Sequence, residues 1–254
     1  MTIMTRTFDD EMAQRSRKTP AQEQVSSPCE VLTHLDGGQH YVVCAFFTPG
    51  YRPHITRLKA SLDRLGLNYH LREYPEQVTW EATTRFKPKF IADCMQQFPS
   101  FNILYVDADA IVRELPDFCD TVSSDVAILF SPVLHRHRRA LSIAAGTLFI
   151  RNTPGGQRFV AAWNEQAAHV IPTTRDEDMI YMAFPALEGV SFTALPKAYS
   201  KIFDSPGPVP VIEHFQASRK AFKLRRWLRR LSRVGVLVGL LVVVTAIWLL
   251  SGIV

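Results

Sequence analysis

Two carboxylates, Asp107 and Asp109, close the run NILYVDADAIV (Asn102–Val112), whose preceding residues are apolar and aromatic. An ionised carboxylate is costly to remove from water unless something completes it. Two acids separated by one small residue, just past a strand, can point at one spot. A hard divalent cation with oxygen ligands, Mg²⁺ or Mn²⁺, would neutralise both and bridge to a substrate's phosphates. The plainer alternative is that the acids cap a turn or meet a local arginine, Arg113 being the nearest cation downstream. A second acidic group, Asp176, Glu177 and Asp178 in TRDEDM, stands at a helix start. Acids there suit the helix dipole, so either they cap the helix or one of them, Asp176 or Glu177, serves a ligand or the chemistry. Lys87 and Lys89 begin the helix before the Asp-x-Asp strand, where a cation opposes the dipole. They answer either to a phosphate or nucleotide partner or to solvent.

The elements that must hold these groups follow from hydropathy. YVVCAFF from Tyr41 reads as a buried strand. Arg52 to Leu65 carries Ile55, Leu58, Leu62 and Leu65 on one helical face. LNYHLREY is a second strand, KPKFIADCMQQF a helix with proline in its first turn, NILYVDAD a third strand, DVAILF a fourth and GTLFIRN a fifth. Helices are expected around Gly156–Ala168 and Asp176–Phe184, with short strands near VSFTAL and VPVIEHF. Alternating strands and helices with continuously apolar strands predict a mainly parallel, mixed α/β sheet covered on both faces. Ligands of such sheets bind at the carboxyl ends of the strands, where Asp107 and Asp109 stand. Residues 1–38 are polar and are expected to be disordered.

Charge and hydropathy divide the chain. The net charge of +5 suggests nucleic acid until it is located: residues 219–254 hold eight Lys/Arg and no Asp/Glu. The remainder has 21 basic against 24 acidic residues, a balance of about −3, which argues against a nucleic-acid partner. Val234–Val254 is uncharged and, at about 1.5 Å per residue, long enough for the roughly 30 Å of bilayer hydrocarbon. Residues 219–233 place leucines and Trp227 at helical spacing between arginines, an amphipathic segment suited to anionic headgroups. The expectation is a C-terminal single-pass anchor, with residues 39–218 as one domain on the cytoplasmic side. Cys29, Cys44, Cys94 and Cys119 have no metal-binding spacing.

Four segments in order, KPKFIADCMQQFPSFNILYVDADAIV, AGTLFIRNT, RDEDMIYMAF and VIEHFQASR, resemble the A-type-fold glycosyltransferases, above all the retaining, glycogenin-like nucleotide-diphospho-sugar transferases. The resemblance covers roughly Tyr41 to Lys220. It implies a single Rossmann-like transferase domain that takes a nucleotide-diphosphate sugar and passes the sugar to a glycan or lipid-linked acceptor. It implies Asp107 at ribose and metal, Asp109 as the firmer metal ligand and His214 completing the site; imidazole favours Mn²⁺ over Mg²⁺. Thr48 and Tyr51, in the loop after the first strand, would receive the nucleobase, although Pro49-Gly50 also reads as an ordinary turn. Gly146 and Thr147 would lie beside the donor sugar. The chain departs from the family's His-x-x-Gly-x-x-Lys pattern, which leaves Arg219 or Lys220 to meet the pyrophosphate. HRHRR, His135–Arg139, is either a solvated loop or a cationic lip for an anionic acceptor. Haloacid-dehalogenase-type phosphatases, which share Asp-x-Asp, continue it with Asp-Gly-Thr/Val at their first strand; here Ala110-Ile111 follow and two strands precede. A non-catalytic nucleotide-sugar-binding protein is the further alternative.

Overall fold

The structure is a computed structural model that describes residues 29–135 and 138–217. The expected segments 219–233 and 234–254, with Arg219 and Lys220, lie outside the described residues. No helix among the described residues is long and apolar enough to cross a membrane.

The strands are β1 (Val31–His34), β2 (Tyr41–Phe47), β3 (Tyr69–Glu73), β4 (Asn102–Val106), β5 (Ala110–Val112), β6 (Val126–His135), β7 (Arg138–Ile150), β8 (Phe192–Ala194), β9 (Lys201–Ile202) and β10 (Ile212–His214). The helices are α1 (Arg52–Leu65), α2 (Trp80–Arg85), α3 (Lys87–Gln97), α4 (Phe118–Thr121), α5 (Pro154–Glu165) and α6 (Asp176–Ala183). Seven strands form one sheet in the order β1-β3-β2-β4-β7-β6-β8, and β5-β10-β9 form a second.

The interior strand β2 is buried along its whole length because both faces are covered. Its alternation divides the interior into two cores. Val42, Cys44 and Phe46 pack with Phe90, Trp163 and Met179 from α3, α5 and α6. Val43, Ala45 and Phe47 pack with Ile55, Leu58 and Leu62 of α1 on the other side. Burying each of those α1 side chains contributes about 1.5–3 kcal/mol. α1 ends where Gly66 takes the left-handed conformation (φ 61°), the residue type that does so without a Cβ penalty.

The sheet corrects two expectations. It is not mainly parallel: β2–β3, β2–β4 and β6–β8 are parallel, but β1–β3, β4–β7 and β6–β7 are antiparallel. β4 and β6 run in the same direction, joined through β5 and the four-residue α4, and are not paired with each other. The hairpin turn between β6 and β7 then sends β7 back, antiparallel, between β4 and β6. Of HRHRR, His135 and Arg138 pair at the outermost described register of β6 and β7. Order also begins earlier than residue 39, since Val31–His34 forms an edge strand on β3. Its four-residue length and half-exposed pattern conceal it in the sequence.

Candidate functional site

β4 delivers Asp107 and Asp109 just beyond its carboxyl end, and the turn between them and β5 is closed by Ala110 N–H donating to the Asp107 carbonyl (2.9 Å). β10 runs antiparallel to β5 with His214 opposite Ala110. Residues more than a hundred positions apart thereby meet: Asp107, Asp109 and His214 each offer a ligand atom, all within 4.8 Å of one another. The same three line a cleft of about 580 Å³.

The floor of that cleft is an irregularity in one strand. β6 pairs Ile128 with Leu148 and then Leu129 with Ala144, so Ala145, Gly146 and Thr147 of β7 have no partner on β6. Such bulges re-aim a strand beside a site. All three residues serve the cluster. The Ala145 carbonyl accepts from Lys87 Nζ (3.1 Å). The Gly146 carbonyl accepts the Asp107 N–H (2.9 Å). The Thr147 hydroxyl bonds His214 Nε2 (2.8 Å), leaving Nδ1 for a ligand. A Cβ on Gly146 would stand 3.1 Å from Asp107 Oδ2 and 3.4 Å from His214 Nδ1. Only glycine leaves these two donors unobstructed.

Asp109 accepts from Ala217 N–H at Oδ2 (2.6 Å), and its carbonyl accepts from Phe215 N–H (3.2 Å). Gln216 between them adopts φ 48°, the only positive φ outside glycine among the described residues. That conformation costs about 1–2 kcal/mol and lets the chain after β10 wrap the second acid. Burial, and then the neighbouring Asp107 charge, push the Asp109 carboxyl above its ordinary pKa. Burial depresses the pKa of His214, helped by the Lys87 charge and opposed by Asp107 and Asp109, which favours the neutral imidazole that a ligand role needs. Two carboxylates under mutual repulsion beside an imidazole suit a divalent cation.

The remaining partner of Asp107 is Lys87. It is buried, 3.0 Å from Asp107 Oδ1 and 2.5 Å from Asp176 Oδ2. Burial works against its charge, but Asp107 and Asp176 outweigh that and raise its pKa. The Tyr105 hydroxyl donates to Asp107 Oδ1 as well (3.0 Å). Lys87 is therefore not solvated, one of the two readings its helix position left open; two carboxylates compensate the dipole, and it lines the cleft. Asp176 is committed to this bridge, and its carbonyl accepts from Trp163 Nε1 (3.1 Å). Glu177 lines the cleft 3.3 Å from Arg175. Burial, then the adjacent Asp176 charge, raise its pKa.

Thr48, Tyr51 and Gly146 also line the cleft. Thr147 does not line it; fully buried, it acts on His214 from behind. Lys89 is placed elsewhere, exposed and paired with Asp93 (3.1 Å), a solvent-side i,i+4 contact. Sequence reasoning missed Tyr105, Trp80 and Lys197. Tyr105 was open to inference, since strand periodicity puts it on the face of Asp107 two residues on. Trp80 heads α2, where the Thr79 hydroxyl accepts from Ala82 N–H as a cap; it lines the cleft with Tyr51.

No family model and no curated protein matches the chain. Solved structures do. A glycosyltransferase involved in glycosylation of the major capsid of PBCV-1 superposes with a TM-score of 0.51 at 14% identity, over 70% of this chain and 94% of that one. The galactosyltransferase LgtC, in complex with donor and acceptor sugar analogues, aligns at 0.46 and 14%, over 69% and 87%. GlyE of Streptococcus pneumoniae TIGR4 aligns at 0.40 and 20%, over 70% and 55%. The sheet order, the acids beyond β4 and the first of these superpositions agree: the chain has the A-type glycosyltransferase fold of the nucleotide-diphospho-sugar transferases.

Proposed function

We propose that this protein is a glycosyltransferase that moves a sugar from a nucleotide-diphosphate donor to a glycan or lipid-linked acceptor. The observation that carries the reading is the meeting of Asp107, Asp109 and His214 within 4.8 Å at the floor of the cleft. These residues would hold Mn²⁺ or Mg²⁺. When bound, the cation supplies Lewis-acid stabilisation of the charge that develops on the departing nucleotide diphosphate.

The chain's own groups do the rest. Thr147 holds the His214 ring in the orientation that turns Nδ1 toward the cluster, and Gly146 keeps the approach clear. Lys87 restrains Asp107 and Asp176 together, so that one acid stays beside the ribose and cation while the other steadies the start of α6. Thr48 and Tyr51 border the nucleoside end of the cleft. Glu177, whose carboxylate is less committed than that of Asp176, contacts hydroxyls near the anomeric carbon. The uncharged run at 234–254 attaches the enzyme to a membrane from its cytoplasmic side, and the cations of 219–233 meet anionic lipids there. An acceptor carried in or on that membrane follows from the location.

A thermal-shift panel of UDP-, GDP-, ADP- and CDP-sugars, with and without Mn²⁺, tests the reading. One donor should stabilise the protein only with metal, by about 2.7 kcal/mol at a hundredfold excess over Kd. Asp109→Asn should abolish that stabilisation and leave the unliganded melting temperature near the parent's. Metal-dependent binding that survives in Asp109→Asn would sink the assignment of the cluster.

A further inference from the structure

The charges that line the cleft do not balance for an anionic donor. Glu76, Asp107, Asp109, Asp176 and Glu177 line it, against three cationic side chains, Lys87, Arg175 and Lys197. Two of the cations are already held by carboxylates. Lys87 bridges Asp107 and Asp176, and Arg175 lies 3.3 Å from Glu177 and 3.4 Å from Asp178. A divalent ion cancels at most the charges of Asp107 and Asp109. The negative charge of a diphosphate is then left for side chains to meet.

Lys197 is the cleft cation with no ion pair among the described residues. It is exposed, and its ammonium makes one hydrogen bond, to the Pro206 carbonyl at 3.3 Å. A lysine offers three donors. Its position is built by the fold. Lys197–Ser200 forms a 3-10 turn ahead of β9, and Val211 N–H donates to the Ala198 carbonyl (2.9 Å), fastening the turn to the strand that supplies His214. Gly207 sits at φ 153°, and a Cβ there would lie 3.4 Å from the Cε atoms of both Lys197 and Lys201. The neighbouring Lys201 is different: it is buried, and its ammonium is spent on the carbonyls of Ile202 and Ser205. One lysine braces the loop from inside, and the other leans across it into the cleft.

We propose that Lys197 is a donor-binding residue that grips the diphosphate of the nucleotide sugar from the wall carrying His214. The proposal rests on the glycosyltransferase reading and adds to it a phosphate contact at a lysine that sequence reasoning did not name. An ammonium–phosphate hydrogen bond is charge-assisted and stronger than a neutral one.

The test uses the detergent-solubilised full chain and isothermal titration in Mn²⁺, with UDP, GDP, ADP and CDP and their parent nucleosides as probes. The parent protein should bind one diphosphate. Lys197→Gln should weaken that diphosphate about 10-fold or more, leave the matching nucleoside unchanged and keep the melting temperature. Lys197→Arg should restore most of the affinity. Equal diphosphate binding by Lys197→Gln and the parent would overturn the role of Lys197 while leaving the glycosyltransferase reading standing. Equal weakening of nucleoside and diphosphate would also overturn it, in favour of a structural role for the turn. Failure of the parent to bind any diphosphate with metal would instead remove the reading beneath it.

Discussion

Replacing Lys87 with Met keeps most of the apolar stem and removes the ammonium from between Asp107 and Asp176. The two contacts are unequal. The Asp107 side chain is 37% exposed and can recover water, whereas Asp176 is 7% exposed and cannot. Breaking the buried half of such a bridge leaves an uncompensated charge and costs about 3–5 kcal/mol. The loss at the half-exposed carboxylate adds at most about 1 kcal/mol. Against the usual 5–15 kcal/mol for a folded domain, this is severe. The assay is urea unfolding followed by tryptophan fluorescence, to which the buried Trp163, bonded to the Asp176 carbonyl, contributes. Lys87→Met with Asp176→Asn should recover most of the loss, because the buried charge leaves with its partner. The pH dependence has a defined sign. The folded pKa of Lys87 is raised above the ordinary 10.5, so its contribution is complete below that value and disappears only as pH climbs through the raised one. The gap between parent and variant should therefore be level from neutral pH to about 10 and shrink beyond. A single-variant loss under about 1 kcal/mol, or no recovery in the double variant, would refute the claim that Lys87 holds these acids.

Gly146→Ala places a methyl 3.1 Å from Asp107 Oδ2 and 3.2 Å from His214 Cε1; Mn²⁺ affinity by titration should fall about 10-fold or more, with little change in melting. Glu177→Gln should stabilise the protein at neutral pH, because a carboxyl whose folded pKa is raised costs stability once ionised. The two proteins should converge as pH falls below the ordinary glutamate value of 4.5, read by urea denaturation across pH. Deletion after Lys220 should move the protein from the membrane pellet to the supernatant, and persistent pelleting would contradict the anchor.

Where local physics decides structure, the sequence was readable. α1 begins and ends where its apolar spacing and Gly66 indicate, and β2 is as buried as YVVCAFF suggests. The acids of 107 and 109 were found because a strand rarely ends in two carboxylates without purpose. Strand direction was not readable: burial on both faces looks alike in parallel and antiparallel ladders, and the hairpin that reverses β7 leaves no mark on its apolar pattern. The carboxylate partners of Lys87 were not readable for a related reason. The dipole argument saw its own helix, while the carboxylate that shares its charge lies 89 positions downstream and is brought near only by the packing of α3, α5 and α6. His214 was reached through family likeness; its geometry depends on β10 pairing with β5, which no periodicity in a three-residue strand announces.

The slack of three residues in β7 separates two ladders that need not change together. Inward of it, β7 stays in step with β4, and outward of it β6 and β7 continue alone to the His135–Arg138 pair. Lengthening or trimming the arm by matched pairs of residues leaves the inner registration alone, so its reach can drift over evolutionary time while the floor keeps its shape. A fold so built can alter its outer arm without disturbing the floor of the cleft.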